Sequence, residues 1–130
     1  MRHRKKKKKL NADYDHRRVI RKNLVRSLFL HGRIQTTPPK ARATVVLAER
    51  IIARLKRGDL NGRRFAFSIF GDQAFVNKLA TQLVPRFAKH QGGIVRLRKI
   101  KKRKGDNALV VSVELVDGQG GVKQEEEKKK

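Results

Sequence analysis

Lysine and arginine occupy 35 of the 130 positions against 11 aspartates and glutamates, and the resulting net charge of +24 is the strongest constraint on how this chain can fold. Like charges at that density repel one another in any compact state. A stable arrangement spreads the cations over the surface, keeps a small interior free of them, and gains from a polyanion that neutralises the repulsion. The interior is correspondingly thin: 38% of residues are apolar and 35% charged, where ordinary soluble domains run at roughly 45–50% and 25%. A chain of 130 residues sustains one core of that kind and not two.

The absence of cysteine removes disulfide frameworks and thiolate chemistry and fits a reducing compartment. Residues 1–9 are basic, but polar Asn11, Asp13 and Asp15 follow in place of the apolar stretch of about 7–15 residues that a secretory leader requires. Apolar runs extend only a few residues, as at 28–30 and 45–48, far below the roughly 18 of a membrane-spanning helix. The expectation is a cytoplasmic protein with no membrane partner. An organelle form stays open, because a clipped transit segment leaves no trace.

Charge and periodicity divide the chain into a basic extension over 1–15, one globular unit over 16–117 and a charged tail over 118–130. Arg2, His3, Arg4 and the lysines of 5–9 form a block with almost no apolar side chain. Nothing in it offsets the entropy of ordering, so the extension is expected to be disordered when free, and the Gly-, Glu- and Lys-rich tail likewise. Ile20, Leu24 and Leu28 recur every four residues between Asp13 or Asp15 as cap and Gly32 as stop, which predicts a helix over 16–31. Arg17, Arg18, Arg21, Lys22 and Arg26 lie on its other faces. A short strand is expected over 33–36. Thr37-Pro38-Pro39 then opens a second helix to about residue 57, with Ala41, Val45, Ala48, Ile52 and Leu55 on one face and Gly58 after it. Asp59 caps a third helix to residue 67. A fourth follows Gly71-Asp72 and ends or kinks at Pro85.

Beyond Gly92-Gly93 the period changes from helical to alternating. Residues 94–100 and 108–115 predict an antiparallel hairpin, in which Leu109, Val111, Val113 and Leu115 share a face. Its connection over 101–107 carries Lys101, Lys102, Arg103 and Lys104 and turns at Gly105-Asp106-Asn107, a projecting basic tip suited to an anion. The elements amount to an α/β (α+β) unit of about four helices and three strands.

The chemistry that such a chain can perform is bounded by what it lacks. His3, His16, His31 and His90 are scattered without ligand spacing, so no metal site is expected. Asp13, Asp15 and His16 read as helix-capping residues before they read as an acid–base cluster, and no nucleophile, paired carboxylates or phosphate-cradling glycine loop accompanies them. No cofactor, small-molecule substrate or catalytic residue is expected. The six phenylalanines fall mainly at core-like helical positions, Phe65, Phe67 and Phe75 among them, which argues against an aromatic stacking sheet. What remains is phosphate neutralisation by the basic extension, the helix face bearing Arg17, Arg18 and Arg21, and the segment from Arg96 through Arg98 to Lys104. Zinc-finger spacing, a basic region with a leucine heptad and a helix-turn-helix pair are all missing, so folded RNA fits better than a sequence-specific DNA site. A free nucleoid-type DNA-compacting protein is the alternative.

Individual residues then match a known family. Met1-Arg2-His3-Arg4, Leu10-Asn11, His16-Arg17, Ser27-Leu28, Thr36-Thr37 and Pro39-Lys40-Ala41 resemble, in order and spacing, the N-terminal half of the bacterial large-subunit ribosomal protein numbered seventeen. Arg63-Arg64-Phe65-Ala66, Lys78-Leu79, Pro85-Arg86-Phe87-Ala88, Gly92-Gly93, Gly105-Asp106-Asn107-Ala108 and Glu114-Leu115-Val116 continue the resemblance to about Asp117. The resemblance implies a two-layer fold with helices on a small three-stranded mixed sheet. It also implies a structural, non-enzymatic place on large-subunit rRNA near the polypeptide exit tunnel, among neighbouring ribosomal proteins. It further implies RNA contacts for Arg2, His3, Arg4, Asn11, His16, Arg17, Thr36, Thr37 and Lys40, with Arg63, Arg64, Arg86 and Arg96. Charge alone adds Lys5, Arg18, Arg21, Arg98 and the hairpin-tip residues Lys101, Lys102, Arg103 and Lys104. The run over 5–9, the basic tip and the Glu/Lys tail depart from the family pattern, and no role is carried over to them.

Overall fold

The computed structural model describes His3 and residues 9–117; the expectation of disorder in the two tails otherwise falls on residues outside this set. Helix α1 (Tyr14–His31) leads through strand β1 (Arg33–Thr36) to α2 (Pro38–Lys56), α3 (Leu60–Phe70) and α4 (Gln73–Lys78), and then to strands β2 (Val95–Lys102) and β3 (Leu109–Leu115). Helix α1 begins two residues earlier than its periodicity suggests and stops where predicted. Gly32 adopts φ 74°, a conformation costly for any residue with a Cβ, and its N–H reaches Leu28 O at 2.7 Å. The buried residues of α1 are Val25, Leu28 and Phe29, while Ile20 and Leu24 are half-buried.

Helix α2 is the central element, with Ala41, Thr44, Ala48, Ile51, Ile52 and Leu55 buried. Its neighbour α3 runs three residues beyond the expected end and approaches it through Gly62. A Cβ at that position would stand 2.4 Å from Arg54 O, so only glycine allows the two backbones to meet. Asp59 Oδ1 accepts the Gly62 N–H at 2.8 Å, as expected, and Asp72 Oδ1 accepts that of Phe75 at 3.0 Å, whereas Asp13 and Thr37 stand at the N-cap positions of α1 and α2 without a side-chain capping bond. The fourth helix loosens before Pro85. Leu79–Leu83 form a π turn, in which Val84 N–H bonds back to Leu79 O, and Val84–Phe87 a 3-10 turn. Proline has no N–H to continue the regular ladder.

The sheet order is β1-β3-β2, and both pairings are antiparallel. This corrects the expectation of a mixed sheet. The helical crossover does leave β1 and β2 running in the same direction, but β3 inserts between them and no parallel pair forms. The reason lies in side chains: β3 is LVVSVEL and suits the buried centre, whereas β2 is VRLRKIKK, and a lysine- and arginine-rich strand belongs at an edge, where it also blocks further pairing. The register places Ile34, Thr36, Val95, Leu97, Val111, Val113 and Leu115 on the face toward the helices. There the core joins Phe29 to Phe70 and Phe70 to Phe75 through edge-to-face contacts at 6.2 and 5.0 Å. Phe67 does not belong to this core. It lies on the flank of α3, beside the face of Gly62, Ala66 and Phe70 that is buried, and is 44% exposed.

Candidate nucleic-acid interface

Basic side chains emerge on four surfaces. On the first turns of α1, the Arg17 and Arg18 guanidinium carbons stand 6.0 and 5.9 Å from the ring centroid of Tyr14, an exposed aromatic between two cations. Arg21 donates from Nε to Arg17 O at 3.3 Å, which holds it along the helix beside them. His16 and Asn11 are exposed, and Asn11 has φ 51°. Arg26, which sequence placed on the basic face, is turned inward: it meets Asp72 Oδ2 at 2.9 Å and covers the Phe75 ring at 4.6 Å. The Asp72 carboxyl is held below the ordinary aspartate range, first by the Phe75 N–H and then by Arg26.

The second surface is the sheet face turned away from the helices. In β pairs, opposed residues share a face. The partners Arg33↔Glu114↔Arg96 and Gln35↔Ser112↔Arg98 therefore set three arginines around one acid, and Val110↔Lys101 adds a lysine farther along the same face. Arg33 Nε approaches both Glu114 Oε1 and Ser112 Oγ at 3.1 Å, and the Ser112 hydroxyl donates to Glu114 Oε1 at 2.7 Å. Arg98 Nε lies 4.0 Å from Glu114 Oε2. The Glu114 carboxyl is depressed below the usual glutamate range by the Ser112 hydrogen bond foremost, then by Arg33, Arg98 and Arg96. One carboxylate thus orients several guanidinium groups while their outer N–H groups stay available, a surface that matches phosphate and ribose oxygens. A β-bulge between Lys99 and Lys101 keeps Lys101 on this face.

The hairpin tip is the third surface. Lys101 and Lys102 belong to β2 and not to the connection. Arg103 closes the turn, donating from Nε and Nη2 to Asp106 at 3.1 and 2.7 Å, and Asp106 Oδ1 also accepts the Ala108 N–H at 3.2 Å. These bonds pull the Asp106 carboxyl below its ordinary range. Arg103 therefore shapes the tip that Lys101, Lys102 and Lys104 present.

Fourth are the outer faces of the helices. Arg63 and Arg64 are exposed on α3, while Thr36, Thr37 and Lys40 are half-buried where β1 passes into α2. Arg86 is only 17% exposed and is paired with Asp117, so its guanidinium ties the last turn of the helical layer to the end of β3. Arg2, Arg4 and Lys5 lie outside the described residues; His3 is exposed. Sequence reasoning missed Arg33 and Gln35, which carry no run or motif and gain their setting from Glu114, far along the chain.

Five acids of the described fold are engaged locally: Asp59 and Asp72 on caps, and Asp72, Glu114, Asp106 and Asp117 on arginines. The positive charge left over is a property of the surface and not of one pocket. Such a fold and surface define a small, single-core α+β protein with a strongly positive exterior. A profile of the family described as ribosomal protein L17 matches residues 20–116. A protein of Desulforapulum autotrophicum named large ribosomal subunit protein bL17 is 42% identical over 89% of this chain and 97% of its own length. Relatives of the same name from Magnetococcus marinus and Clostridium kluyveri are 45% and 43% identical, over 90% and 84% of this chain and 94% and 96% of theirs. The chain belongs to the ribosomal protein L17 family.

Proposed function

We propose that this protein is a structural constituent of the large ribosomal subunit that binds and stabilises folded large-subunit rRNA near the polypeptide exit tunnel, in the cytoplasm, beside other proteins of that subunit. Its relatives carry the name of a large-subunit protein across the whole folded part, and the family is one of structural components and not of enzymes. The observation that carries the RNA reading is the sheet face on which Arg33, Arg96 and Arg98 surround Glu114, with Lys101 farther along it. It is preorganised, so little side-chain entropy is lost when phosphates meet it. Binding energy is distributed: each Lys or Arg that neutralises a phosphate releases condensed counterions. No helix among the described residues is long and apolar enough to cross a membrane.

Sedimentation of a tagged chain from cell lysate, washed in rising salt and followed by sequencing of the retained RNA, tests this. The expected result is retention with large-subunit rRNA after moderate-salt washing, with footprints around the sheet face and the hairpin tip. Early release, or recovery chiefly with DNA, overturns the reading in favour of a nucleoid-type compactor.

A further inference from the structure

Phe67 is a large aromatic ring on the one part of α3 that the fold does not use. The helical repeat of about 100° per residue sets Leu60, Arg64 and Phe67 within a narrow arc, with Arg63 at its margin. That arc lies to one side of the face made by Gly62, Ala66 and Phe70, which are buried, and its side chains stay open to solvent. Leu60 is 61% exposed and Phe67 44%. Arg63 and Arg64 are exposed and make no ion pair with any described residue, unlike Arg26, Arg33, Arg86, Arg98 and Arg103. An exposed apolar side chain alone is ordinary. A phenylalanine and a leucine flanked by two uncompensated guanidinium groups combine a π-face with phosphate donors, which is the composition of a stacking platform for unpaired nucleotides.

We infer that the Leu60–Arg64–Phe67 face of α3 is a second RNA-contact site, distinct from the sheet face, at which a splayed-out base of single-stranded RNA stacks on the Phe67 ring while Arg63 and Arg64 hold the adjacent phosphates. The inference rests on the ribosomal reading above and names the kind of RNA element this surface takes: a bulge or loop, and not the regular helix that the sheet face suits. Leu60 extends the apolar bed along the base or its ribose. A protein partner is the weaker occupant, because two unpaired arginines at the centre of a protein interface would need acids to meet them, and this surface brings none.

The experiment uses the full chain, large-subunit rRNA and the variants Phe67→Ala, Phe67→Leu, Phe67→Trp and Arg64→Ala, with affinity measured across a series of salt concentrations. Phe67 lies outside the core, so the variants are expected to keep the wild-type circular dichroism and melting temperature, which is checked first. Phe67→Ala is expected to lower affinity about five- to hundredfold, the range that base–aromatic stacking spans, with the slope of log affinity against log salt unchanged. Phe67→Trp restores binding and Phe67→Leu does not. Arg64→Ala instead makes the slope shallower by about one contact. Chemical probing of the bound RNA is expected to show one unpaired nucleotide whose reactivity returns in Phe67→Ala. If the wild-type chain fails to bind large-subunit rRNA, the ribosomal reading falls. If it binds and Phe67→Ala or Phe67→Leu binds equally well, that reading stands and the stacking site falls. Unchanged rRNA affinity with loss of incorporation into subunits also overturns the site, in favour of a protein partner.

Discussion

Gly62→Ala tests whether the α2–α3 contact has the closeness described. The added Cβ would meet two backbone atoms, Arg54 O at 2.4 Å and Arg54 C at 2.9 Å. Neither can rotate away as the end of a side chain could. Restoring a contact of 3.4 Å requires the helices to separate by about 1 Å, which loosens Ala66 and Phe70 behind the contact and strains the Asp59 cap. Overpacking of this kind costs roughly 1–3 kcal/mol, and the upper half of that range applies because the obstacle is backbone. Alanine returns about 0.8–1.0 kcal/mol through its better helix propensity, which leaves a net loss of about 1–2 kcal/mol. For a folded unit of this size that corresponds to a fall in melting temperature of roughly 5–15 °C. Thermal melting by circular dichroism in a sulfate buffer, which screens the self-repulsion of a highly basic chain, measures it. Asn61→Ala, one residue away and exposed, is the control and is expected to melt no lower than wild type. A Gly62→Ala protein as stable as wild type would refute the close approach, and with it the orientation of the α3 surface.

Three further outcomes are expected. Replacing Lys101, Lys102, Arg103 and Lys104 by glutamate removes the anion-seeking tip, so incorporation into large subunits should weaken; incorporation at the wild-type level counts against a tip contact. Arg33→Ala on the sheet face should reduce the salt slope of rRNA binding by about one unit, and a slope equal to wild type would mean that the guanidinium is consumed by Glu114. Asp72 supplies a pH test: its folded-state pKa is depressed from the ordinary 3.8 by the Phe75 N–H and Arg26. Its contribution is therefore complete above that ordinary value and lost as pH falls through the depressed one. Melting temperature measured below about pH 5 should fall less steeply in Asp72→Asn than in wild type; parallel curves would rule out this linkage.

Much of the local structure was legible in residues close together in sequence. The stop at Gly32, the cap at Asp59, the prolines opening α2 and the break at Pro85 all act over one helical turn, so reading neighbours suffices. The basic helix and the Lys/Arg-rich hairpin were equally visible as runs. Three features were not. The strand order depends on which strand wins the central place, a competition among segments some 80 residues apart. Phe67 and Phe65 look alike in a periodic pattern, but only the side from which α2 approaches α3 decides that one ring is covered by Arg54 at 3.9 Å and the other left open. Arg26 and Arg33 sit among many arginines, and their roles follow from Asp72 and Glu114, acids contributed by distant elements.

The amino-acid sequence by itself determined that this chain has one thin core, four helices, a hairpin and a strongly positive surface, because charge density and side-chain period act through composition and short-range geometry. Only the tertiary structure decided which cations remain free to bind. Each of the few acids can satisfy just the arginines that folding brings within hydrogen-bond reach, and that proximity is set by helix packing and strand register, which no local pattern encodes.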